Sequence, residues 1–534
     1  LAEITMPPSP VTPQPNFDAQ APLPPIAQPP RRVVVRGPVA GAADAPAVAA
    51  PGPADNANSS SGVAPQVHLP GSKYYTLRYL LAAALADGES VVVGPALSDD
   101  TAALVVALRA LGAELAWERA DADAGASGGA ATGQWALRVR GCGGKPRRPA
   151  DGVVQAGNAG AVLRLLLGIG ALLPEVTFVT NHPESLGRRP NADLLAALRM
   201  LGLQTETREP GGLLPITLRG GPPHGGAVSV SGARSSQYLS ALLYLAPLLP
   251  LGLDIAVVDD LRSAPLVRAT LRALAEAGVA VTAPDLRHFV VVGGQAYRAG
   301  RYVVPGDTPS AAALAAAALT LGAPLHLTGL AAAEDDLQAF VAALTTLGAP
   351  LTTTPTPANH GALTLDAHSV PSSNSAPSHP TLIHRPPSHM DVGRGQGLGP
   401  RVIDGDACID SVPALVAAAC FVEGETRFER VATLRLKESD RIGDLCAELG
   451  KAGCDVTPLP DTIIVRGRPQ GIAGGVEVDG HDDHRLIQAL AIVALRSERG
   501  LTINGADAIA KSYPWFFDDL VLVGGSCEDV GRAG

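Results

Sequence analysis

Ser90-Val91-Val92-Val93 followed by Asp99-Asp100-Thr101, Leu104, Leu108, Leu111 and Gly112-Ala113 is the stretch on which the fold turns. Ser90–Val93 alternates too little for a one-faced strand and is short enough for a buried one. Asp99-Asp100-Thr101 supplies helix-capping side chains. Leu104, Leu108 and Leu111 then fall at i, i+4 and i+7, on one face of a helix. Gly112 stands where a helix C-terminus wants a left-handed residue. The same stop recurs at Leu201-Gly202-Leu203, Ala277-Gly278-Val279, Leu347-Gly348-Ala349, Ala452-Gly453-Cys454 and Val523-Gly524-Gly525. Each follows a helix-like stretch, a short β-branched run and a second helix, so the chain reads as six stacked supersecondary units. Single cores stop growing near 250–300 residues. Six units therefore predict an α/β protein of two lobes with three units each.

The chain has 534 residues, room for two to four domains, with 46% hydrophobic but only 4% aromatic residues. Its core must be built mainly of Ala, Leu and Val. A net charge of −10 argues against nucleic-acid binding, which leaves a basic footprint. The nearest approach to a membrane span, Leu239–Leu253, is broken by Pro247 and Pro250, so no membrane partner is expected. Six cysteines without a C-x-x-C pair predict reduced thiols rather than disulfides or a zinc ribbon. Residues 1–65 are Pro-, Ala-, Gly- and Ser-rich and read as disordered. Arg31, Arg32 and Arg36 within them resemble an organelle-targeting leader or an interdomain linker. Residues 353–400 read as a low-complexity insertion holding five of the twelve histidines (His360, His368, His379, His384, His389), too irregularly spaced for a metal site. Ala120–Thr132 reads as a smaller insertion.

An acidic chain that sets its cations beside Gly, Ser and helix starts points to anionic substrates. Pro70-Gly71-Ser72-Lys73 places Lys73 and Arg78 at a helix N-terminus. Gly157-Asn158-Ala159-Gly160 leads into a helix carrying Arg164, and Gly187-Arg188-Arg189-Pro190 into another. Ser235-Ser236-Gln237-Tyr238 brings two hydroxyls and an amide to one helix start, more than capping needs. Arg435-Leu436-Lys437-Glu438-Ser439-Asp440-Arg441 packs five charges between apolar flanks, where a strand is expected to run into a helix. Lys beside Glu suits proton transfer, and Arg441 can clamp an oxyanion. Asp482-Asp483-His484-Arg485 and Lys511-Ser512-Tyr513-Pro514 complete the set. The H-x-x-H of His481 and His484 has no further ligand pattern, so no metal and no cofactor are expected.

Taken in order, P-G-S-K, S-D-D-T, G-N-A-G with its downstream Arg, R-R-P, S-S-Q-Y, V-x-G-D, L-K-E-S-D-R-I, D-D-H-R and K-S-Y-P resemble the 5-enolpyruvylshikimate-3-phosphate synthase family from about Val67 to Gly525. The resemblance implies a two-lobed inside-out α/β barrel. Each lobe would hold three βαβ-containing repeats around a pseudo-threefold axis, with the active site between them. It places one lobe at 66–71 plus 304–527, the other at 72–303 and a tail at 528–534. The implied reaction joins phosphoenolpyruvate to the 5-hydroxyl of shikimate 3-phosphate and releases phosphate. By matched motif Asp410, eleven residues before Phe421, would take the hydroxyl proton, and Glu438 and Lys437 would handle the C3 proton and the leaving group. Lys73, Asn158, Gly160, Arg189, Gln237, Arg441, Arg485 and Lys511 would hold phosphoenolpyruvate. Lys73, Arg78, Ser235, Ser236, Gln237, Ser263, Asp410 and Lys437 would hold shikimate 3-phosphate. The cations crowded there would repel one another, an argument for a cleft that closes as anions arrive.

The chain departs from the family's pattern at four places: Tyr74 stands for Ser, Ala161 for Thr, Leu266 for Tyr and Thr433 for Asn. Two other readings stay beside this one. One is a weakened module of a larger shikimate-pathway polypeptide, fused to upstream domains. The other is the transferase acting on UDP-N-acetylglucosamine, whose reactive Cys in a basic loop has no counterpart here. The resemblance also implies a monomer, and Gly160 implies sensitivity to glyphosate. The leader-like start points to a plastid, with the cytoplasm as the alternative.

Overall fold

The computed structural model describes residues 29–38, 64–120, 135–331, 335–355, 360–365 and 399–531. Among these residues the buried apolar side chains separate into two cores. One runs from Tyr75 to Val304, and the other joins Val33–Leu69 to Ala311–Val523. Three sheets flank each core.

The sheets share one plan, in which a parallel pair is extended by antiparallel strands. In the opening unit Arg301–Val303 lies parallel to Glu89–Val93, which pairs antiparallel with Trp135–Arg140 and that with Glu114–Arg119. The order Val153–Gln155, Glu175–Val179, Ile216–Arg219, Gln204–Thr207 repeats it, as does Arg401–Asp404, Gly424–Glu429, Thr462–Gly467, Asp455–Pro458. Each unit has one helix sunk in the lobe and one amphipathic helix outside it. Thr308–Leu321 is an inner helix with twelve of its fourteen residues buried, possible because seven of the fourteen are alanine and backbones can approach closely. Asp99–Ala110 is an outer one, and its cap is the Ser98 hydroxyl accepting from the Thr101 amide rather than the aspartates.

All six expected helix stops are left-handed: Gly112, Gly202, Gly278, Gly348, Gly453 and Gly524 have φ between 81° and 110°. A Cβ at Gly202 would touch nothing within 4 Å, so backbone conformation alone calls for glycine there.

Three expectations from sequence need correction. Within residues 1–65, Arg32–Arg36 is not disordered leader but an inner strand, between Leu501–Asn504 and Ser526–Asp529. Only Val33 and Val35 of this short run face the core, proline-rich sequence precedes it, and its strand partners lie more than 460 residues away. Arg32 and Arg36 are paired to Glu477 and Glu528, so they are not spare targeting charges. Residues 528–534 likewise do not begin a tail, since Glu528 and Asp529 belong to that strand. The span 353–400 starts inside structure: Leu351–Pro355 and His360–Leu365 form a hairpin in the sheet of Leu325–Ala331. The remaining histidines of that span (His368, His379, His384, His389) lie outside the described residues, as does most of Ala120–Thr132.

Val35 is fully buried between Leu501 and Cys527. Val35→Asp is expected to lower stability by several kcal/mol, because a carboxylate there has no partner. A urea midpoint shift reads this out, and an unchanged midpoint contradicts a core role for the strand.

Candidate active site

A cavity of about 850 Å³, including its open mouth, lies where the two cores meet. Its walls bring together Lys73, Gly160, Arg189, Ser235, Ser236, Gln237, Ser263, Asp410, Lys437, Glu438 and Arg441. Residues 73–263 of this set come from one lobe and 410–441 from the other.

Arg441 is the hub. Its guanidinium, almost wholly buried, donates to Asp410 Oδ1 at 2.7 Å, to Glu438 Oε2 at 2.6 Å and to both oxygens of Asp483 at 2.7 and 3.0 Å. The segment carrying it is a 3-10 turn, Ala432–Leu436, followed by a short loop into helix Gly443–Ala452, not a strand entering a helix. Asp483 also caps helix His484–Ala494 through the Arg485 amide, which fixes the carboxylate that holds Arg441. Lys437 Nζ reaches Asp410 at 3.1 and 3.3 Å. Across the cleft Arg189 approaches Glu438 at 3.7 Å, and Lys73 pairs with Asp100 at 3.0 Å.

These neighbours set the protonation states. Burial works against the Asp410 carboxylate, yet Lys437, Arg441 and Arg485 hold it far below the usual range. Glu438 is also well below its ordinary value despite burial, chiefly because of Arg441 and Arg189, with Lys73 adding to them. Burial likewise opposes the Lys73 charge, but Asp100 and Glu438 keep it above the usual amine value. Burial, then Arg485, Lys73 and Arg441, push His484 well below the ordinary imidazole value, so it is neutral at pH 7.

Four expected residues do not line the cavity wall. Arg78 turns into its own lobe, donating to Thr270 Oγ1 and to the carbonyls of Tyr74 and Leu266. Lys511, at the end of the 3-10 turn Ala506–Lys511, donates to the Asp482 carbonyl at 2.5 Å. Arg485 donates to Gln488 at 3.0 Å and reaches Asp307 at 3.4 Å. Asn158 is set back, with Oδ1 buried and without a hydrogen-bond partner. Buried donors at Arg189 (Nε and NH2) and Arg485 (Nε) have no partner among the described residues either. Spare buried donors beside paired carboxylates are what an anion receptor requires.

Sequence reasoning gave no site role to several lining residues. Arg164 orders the S-S-Q-Y start by donating to Gln237 Oε1 at 2.7 Å and reaching Ser235 Oγ at 3.5 Å. Asp100, Arg262 and His484 also line the cavity. Asp100 and His484 lay within quoted motifs, but nothing local distinguished them from capping or solvated residues. His481 and His484 diverge: His481 Nε2 contacts Glu448 at 3.1 Å, while His484 faces the cavity. No cysteine lines this cavity.

Two lobes of repeated α/β units enclosing a cation-rich cleft define the enolpyruvyl-transferase class of fold. Solved structures agree: an EPSP synthase from Acinetobacter baumannii superposes with a TM-score of 0.66 at 23% identity, over 93% of this chain and 99% of that one. The enolpyruvyl transferase NikO from Streptomyces tendae gives 0.65 at 17% identity, over 94% and 99%. The family model for EPSP synthase (3-phosphoshikimate 1-carboxyvinyltransferase) matches residues 58–520. The chain is 42% identical over 458 residues to the 3-phosphoshikimate 1-carboxyvinyltransferase of Deinococcus radiodurans, covering 86% of this chain and 92% of that protein. It is 31% identical over 477 residues to the enzyme of that name from Burkholderia pseudomallei, covering 89% and 94%. The chain belongs to the EPSP synthase family.

The neutral, buried His484 gives a pH prediction. Its folded-state pKa is depressed, so below the unfolded value of about 6.5 the unfolded chain binds the extra proton. Stability is therefore lost as pH falls from about 6.5 toward 5, by up to about 1.4 kcal/mol per pH unit from this group. His484→Asn is expected to flatten the Tm profile in that window, and parallel profiles contradict it.

Proposed function

We infer that the chain transfers the enolpyruvyl group of phosphoenolpyruvate to the 5-hydroxyl of shikimate 3-phosphate, giving 5-enolpyruvylshikimate 3-phosphate and phosphate. The observation that carries this reading is the single Arg441 guanidinium clasping Asp410 and Glu438 inside a cavity ringed by Lys73, Arg189 and Lys437. Two carboxylates a guanidinium's width apart suit an addition–elimination in which one oxygen loses a proton while a carbon gains one.

In the addition, the substrate's 5-oxygen bonds to C2 of phosphoenolpyruvate as its proton passes to Asp410, and C3 receives a proton from the Glu438–Lys437 side. In the elimination, C3 returns a proton to the Glu438–Lys437 side, its C–H electrons form the C2–C3 double bond, and the C2–O bond to phosphate breaks with both electrons leaving on the phosphate oxygen. A carboxylate held far below its usual range is a weak base. Substrate anions that engage Lys437 and Arg441 weaken the hold of those cations on Asp410 and Glu438, raising their proton affinity as the reactants arrive. Phosphoenolpyruvate is assigned to Lys73, Asn158, Gly160, Arg189, Gln237, Arg441, Arg485 and Lys511. Shikimate 3-phosphate is assigned to Lys73, Arg78, Ser235, Ser236, Gln237, Ser263, Asp410 and Lys437. For Arg78 and Lys511 this requires exchanging their present carbonyl partners for substrate oxygens. A monomer suffices for this chemistry, since the cavity is lined from one chain.

The organelle reading loses the support it drew from Arg32 and Arg36, which serve the fold. Among the described residues no helix is long and apolar enough to cross a membrane.

Phosphate release measured with both substrates tests the assignment. Asp410→Asn and Glu438→Gln should each lower kcat by about 10²- to 10⁴-fold without unfolding the protein. Turnover within a few-fold of the parent in either variant removes that residue from the mechanism.

Gly160 bears on glyphosate. A Cβ there would lie 2.9 Å from Arg189 NH1 and 3.5 Å from Arg164 NH1, displacing an assigned phosphoenolpyruvate ligand. The parent enzyme is expected to be inhibited competitively with phosphoenolpyruvate. Gly160→Ala should weaken that inhibition and raise KM for phosphoenolpyruvate several-fold. Equal inhibition curves for parent and variant contradict this placement of the site.

A further inference from the structure

The hydroxyl of Tyr74 donates a hydrogen bond to Asp410 Oδ2. Arg441 and Lys437 hold the other oxygen, Oδ1, at 2.7 and 3.1 Å, with Lys437 also 3.3 Å from Oδ2. The proposed base therefore presents one oxygen to two cations and the other chiefly to a phenol. Tyr74 is the second residue of helix Lys73–Leu85, and its carbonyl is fastened by Arg78 NH1 at 2.9 Å. Arg78 NH2 also holds the Leu266 carbonyl at 3.0 Å, so the backbone on both sides of this wall is fixed.

Tyr74 also divides space. It lines the central cavity and two narrow hollows beside it, the second bounded by Ser72, Pro305 and Gly306. Its neighbour on all three walls is Leu266, an aliphatic side chain without a polar atom to hold the phenol elsewhere.

We propose that Tyr74 is an affinity-setting residue whose hydroxyl occupies the place on Asp410 that the acceptor substrate's hydroxyl must take, so that shikimate 3-phosphate binds by displacing it. The inference rests on the role given to Asp410 above. One hydroxyl exchanges for another on the same carboxylate oxygen, and no covalent bond changes. The phenol stays protonated in both positions: burial and the adjacent Asp410 hold its pKa well above the ordinary value.

Binding of shikimate 3-phosphate, titrated by calorimetry on the full chain, and steady-state kinetics of Tyr74→Phe and Tyr74→Ser test this. Phe keeps the ring and removes the competing hydroxyl. It is expected to tighten shikimate 3-phosphate binding about tenfold, the size of a hydrogen bond to a charged group, and to lower its KM in parallel. Ser, which also removes the ring, should bind at least as tightly as Phe. Unchanged binding in Phe with a gain in Ser would mean crowding by the ring rather than competition by the hydroxyl, and overturns the proposal. A fall in kcat for Phe without tighter binding would make the phenol a proton relay to Asp410, and overturns it too. If the parent binds no shikimate 3-phosphate, or Asp410→Asn turns over normally, the functional reading itself is what fails.

Discussion

A guanidinium buried as deeply as that of Arg441 carries a large desolvation cost, and here three carboxylates offset it. Asp410 comes from the 3-10 turn after strand Arg401–Asp404, Glu438 from Arg441's own loop, and Asp483 from the cap of helix His484–Ala494. Removing any partner leaves buried charge uncompensated, so three segments of one lobe are tied to a common point. The surplus negative charge is offset in turn by Lys437 on the same lobe, and by Lys73 and Arg189 reaching from the other. Catalytic geometry and interlobe geometry are thus one electrostatic arrangement.

This arrangement alters the expectation that crowded cations force the cleft open. Repulsion among the cations is relieved inside the protein, because Lys73, Arg189, Lys437, Arg441 and Arg485 each face a carboxylate within 3.7 Å, while Arg78 and Lys511 meet backbone carbonyls. Further links join the lobes away from the cavity centre: the Ser263 amide donates to both oxygens of Asp406 at 3.0 and 3.1 Å, and Arg268 pairs with Asp335 at 2.7 Å. Ser263 has φ of 55°, an uncommon conformation for a non-glycine residue, held where its amide meets Asp406. Anions entering the cleft exchange one set of ion pairs for another, and the interlobe links need not be lost together.

Much of the fold was legible because its signals are local. A left-handed glycine at the end of an amphipathic helix is written in a few adjacent residues, and six such stops outlined six units. Strand Arg32–Arg36 was not legible, since five residues with two inward valines carry almost no periodicity and a proline-rich segment precedes them. In the site, motif residues such as Lys73, Arg189, Glu438 and Arg441 stood out by position beside glycines and helix starts. Arg164, Asp100 and His484 lay within motifs, but their roles were not legible, because they depend on partners 27 to more than 400 residues away: Arg164 with Gln237, Asp100 with Lys73, His484 with Lys73.

The sequence by itself determined the repeat, the α/β class, the small-residue core and the set of cations and carboxylates, all of which follow from neighbouring side chains and their spacing. Only the tertiary structure decided which cation faces which carboxylate, that Arg78 and Lys511 turn to backbone carbonyls, and that Tyr74 sits on Asp410. Those choices depend on distances between segments far apart in the chain, and charge–charge and hydrogen-bond energies change steeply over the single ångströms that packing fixes.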